Sequence, residues 1–354
     1  MNMLQCCIIL TACLASVAAA LPGTFLVLRG MALMSDAISH AILPGIVIMF
    51  LLTHKLESPL LIVGASIAGM LTVVLTESLI QTKRIKKDAA IGLIFPLFFS
   101  TGVILISLFA RNVHLDVDMV LLGEIAFTLF DHLIINGFNY GPYALWSMGT
   151  IALLNCILVF VLYKELKVTT FDPHFAHSIG FSPSLLHYGI MLVTSITAVG
   201  AFDIVGSIVV VALMIAPPAT AYLLTKQLHH MIGLTLFIAV ISSINGYLAA
   251  ALFDVSIAGS IAIANGVIFL LALLFAPAKG ILYKIIFSRK ENLETAQTIL
   301  CCYLNKKKQH TKIGVPLSTI AQELGWNKNY AQRVINHSLN NKTISNINNT
   351  FLKA

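Results

Sequence analysis

Two side chains able to handle an ion, Asp36 and His40, sit inside MALMSDAISHAILPGIVIMFLL, an apolar run from Met31 to Leu52 that is about one bilayer thickness long. A spacing of i and i+4 stacks them on one helix face, with Ser39 beside them in sequence and Pro44 one turn further on. If Arg29 marks the inner water boundary, a rise of about 1.5 Å per residue puts Asp36 roughly 10 Å and His40 roughly 16 Å into the membrane. An ionisable pair at that depth costs several kcal/mol unless it faces a partner or a water-filled cavity. The spacing therefore points to a permeation pathway, with a hydrogen bond between helices of a bundle as the bland alternative.

The elements that must position this pair are membrane helices. Mean hydropathy is +0.90, and 58% hydrophobic against 10% charged residues excludes an ordinary soluble domain, in which about a quarter of residues are charged. Apolar runs predict nine spans, at 4–28, 31–52, 58–80, 88–110, 144–163, 184–201, 204–224, 231–253 and 257–277. The seventh is the weakest, because Asp203 and Gly206 leave only a tight connection before it; eight spans is the alternative. The N-terminal MNMLQCCIILTACLASVAAALPG has an A-x-A at Ala18–Ala20 and a lipobox-like stretch ending at Cys13, yet it lacks a basic n-region and runs on apolar to Leu28. It reads as a first span and not as a signal peptide. The six cysteines show no CxxC pair and no zinc-finger spacing.

Orientation follows from the basic residues. Arg29, Lys83, Arg84, Lys86, Lys87, Lys164, Lys167, Lys226, Lys279 and Lys284 fall on one side, against Lys55 and Arg111 on the other, so the first side is expected to be cytoplasmic and the C-terminus inside. Between spans four and five, Asn112–Tyr143 holds MVLLGEIAFTLF, which reads as a short helix at the outer face. Its His114, Asp116, Asp118, Glu124, Asp131 and His132 form either a cation-attracting vestibule or, more simply, a solvated loop. On the inner side, TTFDPHFAHSIGFSP (Thr169–Pro183) predicts a short helix capped by Asp172 with Pro173 in its first turn, and LLTKQLHHMIG (Leu223–Gly233) is the connection between spans seven and eight. Each is either a docking surface for a soluble partner or a plain turn.

The surplus charge lies at the C-terminus, where residues 285–354 hold 10 Lys and Arg against 3 Asp and Glu, while residues 1–284 hold 12 of each sign. PLSTIAQELGWNKNYAQRVINHSLNNKTIS reads as helix, Gly-containing turn, helix. The expected fold is thus an all-α polytopic membrane protein, with a transmembrane domain over 1–284 and a small basic helix-turn-helix-like cytoplasmic module over 285–354. That module suits anionic lipid headgroups or an acidic partner, with nucleic acid as the second candidate.

LRGMALMSDAISHAILPGIV (Leu28–Val47) resembles the signature stretch of permeases of the ATP-binding-cassette importers for manganese, zinc and iron(II). RIKKDAAIGLIF (Arg84–Phe95), LLGEI (Leu121–Ile125), FDPHFAHSIG (Phe171–Gly180) and VGSIVVVALMIAPPATA (Val205–Ala221) extend the resemblance over roughly residues 3–277. Gly30 stands where a second Arg is common, and His174 and His177 stand where an acid and an Arg are more usual. The tail resembles part of an iron-dependent repressor-type winged helix, found in only some members. The resemblance implies a multi-pass subunit of the bacterial cytoplasmic membrane with no permanently bound cofactor. It also implies a second permease chain, identical or closely related, a cytoplasmic ATPase and an extracytoplasmic metal-binding protein. Carried over by position, Asp36 and His40 meet the transported metal, while Phe171, Asp172, Pro173, His174, Phe175, Lys226, Gln227 and His229 lie against the ATPase.

Two-fold pairing of such chains would gather two carboxylates and two imidazoles, a donor set suited to Mn, Fe(II) or Zn and poor for Cu(I). With no G-x-x-x-x-G-K-[ST] phosphate loop, the chain is not expected to be an enzyme, and its energy must come from another subunit. Two other classes fit the same residues: a proton-coupled secondary transporter using Asp36 and His40 as a relay, and a membrane-tethered transcription regulator.

Overall fold

The computed structural model describes residues 3–54, 60–109, 125, 132–135, 138–277, 280–310, 315–340, 344–347 and 350–353. The chain divides into two compact units, Met1–Leu273 and Leu274–Ala354. The first holds α1 (Met3–Leu28), α2 (Leu33–Ala41), α3 (Leu43–Thr53), α4 (Leu60–Gln81) and α5 (Lys87–Phe109), then the hairpin β1 (His132–Ile135) and β2 (Phe138–Pro142). It continues with α6 (Tyr143–Val161), α7 (Tyr163–Phe171), α8 (Pro173–Ser178), α9 (Pro183–Val205), α10 (Ser207–Leu224), α11 (Leu228–Phe253) and α12 (Ile257–Phe275). Among the described residues nine spans are long and apolar enough to cross a membrane, α2 and α3 together forming one of them. The segment expected to be weakest, α10, is a continuous 18-residue helix and one of the nine by length and composition. Its junction with α9 is Gly206 at φ +84° and ψ 157°, a backbone that residues with a Cβ rarely adopt.

The first helix is the centre of this unit. Small residues in ASVAAALPG let α6, α10 and α11 close around it, and Ala15, Ala18, Ala19 and Ala20 are fully buried. A Cβ at Gly23 would strike the Met214 carbonyl of α10. Buried polar groups fasten the same contacts: Asn155 of α6 donates to the Ala18 carbonyl and to the Thr197 hydroxyl, each at 2.8 Å, and Ser16 meets Ser243. An apolar cluster of Leu21, Phe25, Val159, Leu166, Ile190 and Leu228 gathers the end of α1, the end of α6, α7, and the starts of α9 and α11 at one end of the bundle.

Two local features differ from the sequence expectation. Span two is not one helix but two, interrupted at Ile42, because Pro44 has no N–H to give the carbonyl one turn back and its ring crowds that turn. Within Asn112–Tyr143 the described residues include an antiparallel hairpin, with Ile134 opposite Asn139 and Ile135 opposite Phe138. Most of the expected outer helix lies outside the described residues, of which Ile125 alone falls in it.

The second unit contains α13 (Ile281–His310), β3 (Val315–Pro316), α14 (Leu317–Glu323), α15 (Lys328–Asn340), β4 (Ile344–Ile347) and β5 (Thr350–Lys353), with antiparallel strand order β3-β5-β4. Its own core is Ala296, Leu300, Leu304, Val315, Ile320, Val334, Ile335 and Ile344. Gly325, at φ +65°, sits in the turn between α14 and α15. Ala331, Val334, Ile335 and Ser338 are buried on α15, whereas Lys328, Asn329, Gln332, Arg333 and Asn336 are exposed, the period of a surface helix.

Candidate functional site

Six of the nine residues of α2 are buried: Met34, Ser35, Ala37, Ile38, Ser39 and Ala41. The three that remain, Leu33, Asp36 and His40, form a single strip, so the open face of an otherwise packed helix carries an acid and an imidazole. His40 Nε2 lies 3.4 Å from Asp36 Oδ1, and their side chains are 29% and 42% exposed. Phe95 and Phe99 of α5 flank the imidazole, with ring centroids 6.1 and 6.0 Å away, giving one apolar wall. Ser39, beside the pair in sequence, is turned inward and donates to the Ser35 carbonyl at 2.9 Å, so it adds nothing to the strip.

Close backbone packing supports this face from behind. A Cβ on Gly102 of α5 would fall 2.7 Å from Leu43 Cδ2 and 2.9 Å from the Pro44 nitrogen, so α5 runs against the interruption that follows His40. Gly45 of α3 and Gly64 of α4 meet so tightly that a side chain on either would strike the other's carbonyl. Among the described residues no third His, Cys, Asp or Glu joins Asp36 and His40. One chain therefore offers half of a typical metal coordination set, open on the side away from its own core.

The second group of predicted residues takes the form its sequence dictates. Asp172 Oδ1 accepts from the Phe175 N–H at 2.9 Å, and Pro173 opens α8. This leaves Phe171, His174 and Phe175 exposed, at 60% for Phe171 and 55% for Phe175. Lys226, Gln227 and His229 are also exposed, and the His229 and His230 ring centroids lie 4.0 Å apart with the planes tilted by 44°. Both stretches leave from the apolar cluster that contains Leu166 and Leu228. Of the expected outer vestibule, His132 is exposed on β1, while His114, Asp116, Asp118, Glu124 and Asp131 lie outside the described residues.

Sequence reasoning missed a polar cluster at the same end. Arg29 Nη1 donates to His187 Nδ1 at 2.9 Å, its Nε and Nη2 reach Thr170 Oγ1 at 3.4 and 3.3 Å, and His187 Nε2 lies 3.2 Å from Glu77 Oε2. The signal was available, since Glu77 and His187 fall inside apolar spans as Asp36 and His40 do. Burial pushes the Arg29 guanidinium down to about 10, with nearby Glu77 pulling it partly back up, so it remains a cation at neutral pH.

Among the described residues, nine apolar spans, the second carrying a partly exposed acid and imidazole, define an integral-membrane protein with a polar strip inside it. The chain belongs to the ABC 3 transport family, which it matches over residues 1–276. It is 44% identical over 277 residues to the manganese transport system membrane protein MntD of Bacillus subtilis, covering 78% of this chain and 94% of that one. It is 43% identical over 334 residues to the zinc transport system membrane protein TroD of Treponema pallidum, covering 94% of this chain and 91% of that one, a match long enough to enter the second unit. A solved structure of PsaBC from Streptococcus pneumoniae in complex with Fab superposes with a TM-score of 0.64 at 28% identity, covering 82% of this chain and 96% of that one.

Proposed function

We propose that this chain is the permease subunit of an ATP-binding-cassette importer that moves a divalent transition metal, Mn, Zn or Fe(II), into the cytoplasm. The observation that carries the reading is the single open strip of α2, which holds Asp36 and His40 in a chain whose relatives are named for manganese and zinc transport. A second permease chain laid over that strip completes a mixed carboxylate and imidazole set around a two-fold axis. An extracytoplasmic binding protein delivers the ion from one side. ATP hydrolysis in a separate subunit, docked on Phe171–Phe175 and on Lys226, Gln227 and His229, drives the helices from the other. The excess of basic residues at that end supports a cytoplasmic position for it and for the C-terminus.

The test is reconstitution with an ATPase subunit and a metal-binding protein of the same transporter class from the same organism. Radiolabelled manganese, zinc or iron(II) is expected to enter proteoliposomes only with ATP. Uptake driven by an imposed proton gradient without the ATPase would instead establish a secondary transporter.

For residues 285–354 we propose a winged-helix-like regulatory module. One observation favours duplex DNA as its partner: the exposed face of α15 carries Lys328, Asn329, Gln332, Arg333 and Asn336, donor-rich side chains of the kind that pair with base edges, and no acid. Full-length protein in nanodiscs, offered a random-core duplex library, is expected to enrich one sequence whose binding survives a rise from about 50 to about 200 mM salt. Equal loss of every sequence over that range would leave the basic surface to anionic lipid.

A further inference from the structure

We propose that Arg29, His187 and Glu77 form a latch through which Thr170, beside the exposed α8 stretch, holds the entry to α2, making these four residues the positioning link between ATPase docking and the Asp36–His40 strip. The inference rests on the importer reading and deepens it by naming the route of coupling within one chain.

The geometry runs through five elements. Thr170 is the penultimate residue of α7, immediately before Phe171 and the Asp172 cap of α8. Its hydroxyl oxygen accepts from Arg29 Nε and Nη2 at 3.4 and 3.3 Å. Arg29 occupies the turn between α1 and α2, where Gly30 at φ +66° reverses the chain, and the Met31 N–H returns to the Leu26 carbonyl at 2.9 Å. The same guanidinium donates from Nη1 to His187 Nδ1 of α9 at 2.9 Å. Because Arg is donor-only, Nδ1 must accept, which leaves the imidazole proton on Nε2, 3.2 Å from Glu77 Oε2 near the C-terminal end of α4. Lys87, opening α5, reaches the Arg29 carbonyl at 3.4 Å.

A planar fork with two donor edges satisfies both partners at once, which a single ammonium cannot. A pull on α7 from a docked partner is therefore felt at the α1–α2 turn, and α9 and α4, the other helices tied to that turn, both pack against α2. Displacing the turn tilts the helix that bears Asp36 and His40. The cluster is partly buried, with His187 15% and Glu77 21% exposed, so its bonds are shielded from competing water.

The experiment compares Thr170→Val, which keeps shape and removes the acceptor, with Thr170→Ser, which keeps the acceptor, in the reconstituted complex with its ATPase. Assembly and ATP hydrolysis are expected to persist in both. Metal moved per ATP is expected to fall at least about threefold in T170V and to stay within about twofold of the wild type in T170S. Adding T170V to Arg29→Lys is expected to cost no more than R29K alone, the signature of one shared link. An active wild type in which T170V and T170S behave alike overturns the latch and leaves the importer intact. A wild type that moves none of the three metals brings down the importer reading and the latch with it.

Discussion

Replacing Asp36 and His40 together by alanine is expected to reduce ATP-dependent metal uptake about a hundredfold or more while the protein accumulates in the membrane at its normal level. Loss of a single outer partner of a metal ligand already costs about 10–100-fold in affinity or activity. Removing both donors of one chain, and in a two-fold pair four of the donors at the axis, should exceed that. The fold should survive for a specific reason: these side chains are 42% and 29% exposed, touch each other at 3.4 Å and lie off the packed face formed by Met34, Ala37, Ile38 and Ala41. Alanine is also the strongest helix former. Asp36→Asn, which keeps shape and loses charge, should be intermediate, because a neutral amide attracts a divalent cation less than a carboxylate does. Wild-type uptake by the double variant would remove the strip from the pathway.

The pair was legible in the sequence because an acid and a histidine at helical spacing in an apolar run are costly enough to demand a purpose. Their shared face followed from spacing alone. That this face is the open one did not, since it depends on α4, α5, α9 and α10 covering the rest of α2, a tertiary fact. Pro44 was visible too, and its missing N–H foretells an interruption; Ile42, where the helix breaks, carries no signal of its own. The hairpin was overlooked although Asn136-Gly137 between His132–Ile135 and Phe138–Pro142 is a strong hairpin signature. The Arg29 cluster needed coordinates, because its members stand as far as 158 positions apart. Asp172 and Pro173, by contrast, act locally, and the cap forms at the position their order dictates.

Converting Phe171 and Phe175 to aspartate is expected to release the ATPase from the complex and with it all uptake. Both rings are more than half exposed, Phe171 at the end of α7 and Phe175 on α8, where Ala176 is the only buried residue, so no core packing accounts for them. Aromatic anchors of an interface commonly contribute about 2 kcal/mol or more each, equivalent to roughly thirtyfold in Kd for one ring. Aspartate adds a desolvation cost to the lost contact. The cap must be separated from the contact, and Asp172→Ala does so: losing an N-cap costs about 1 kcal/mol, which should loosen α8 and weaken assembly far less than the double change. Co-purification with the ATPase, followed by uptake, gives a crossed result. D36A/H40A should keep the ATPase and lose the metal, whereas F171D/F175D should lose the ATPase first. Retention of the ATPase by F171D/F175D would move the docking surface off α8 and onto Lys226, Gln227 and His229, the other exposed stretch leaving the same apolar cluster.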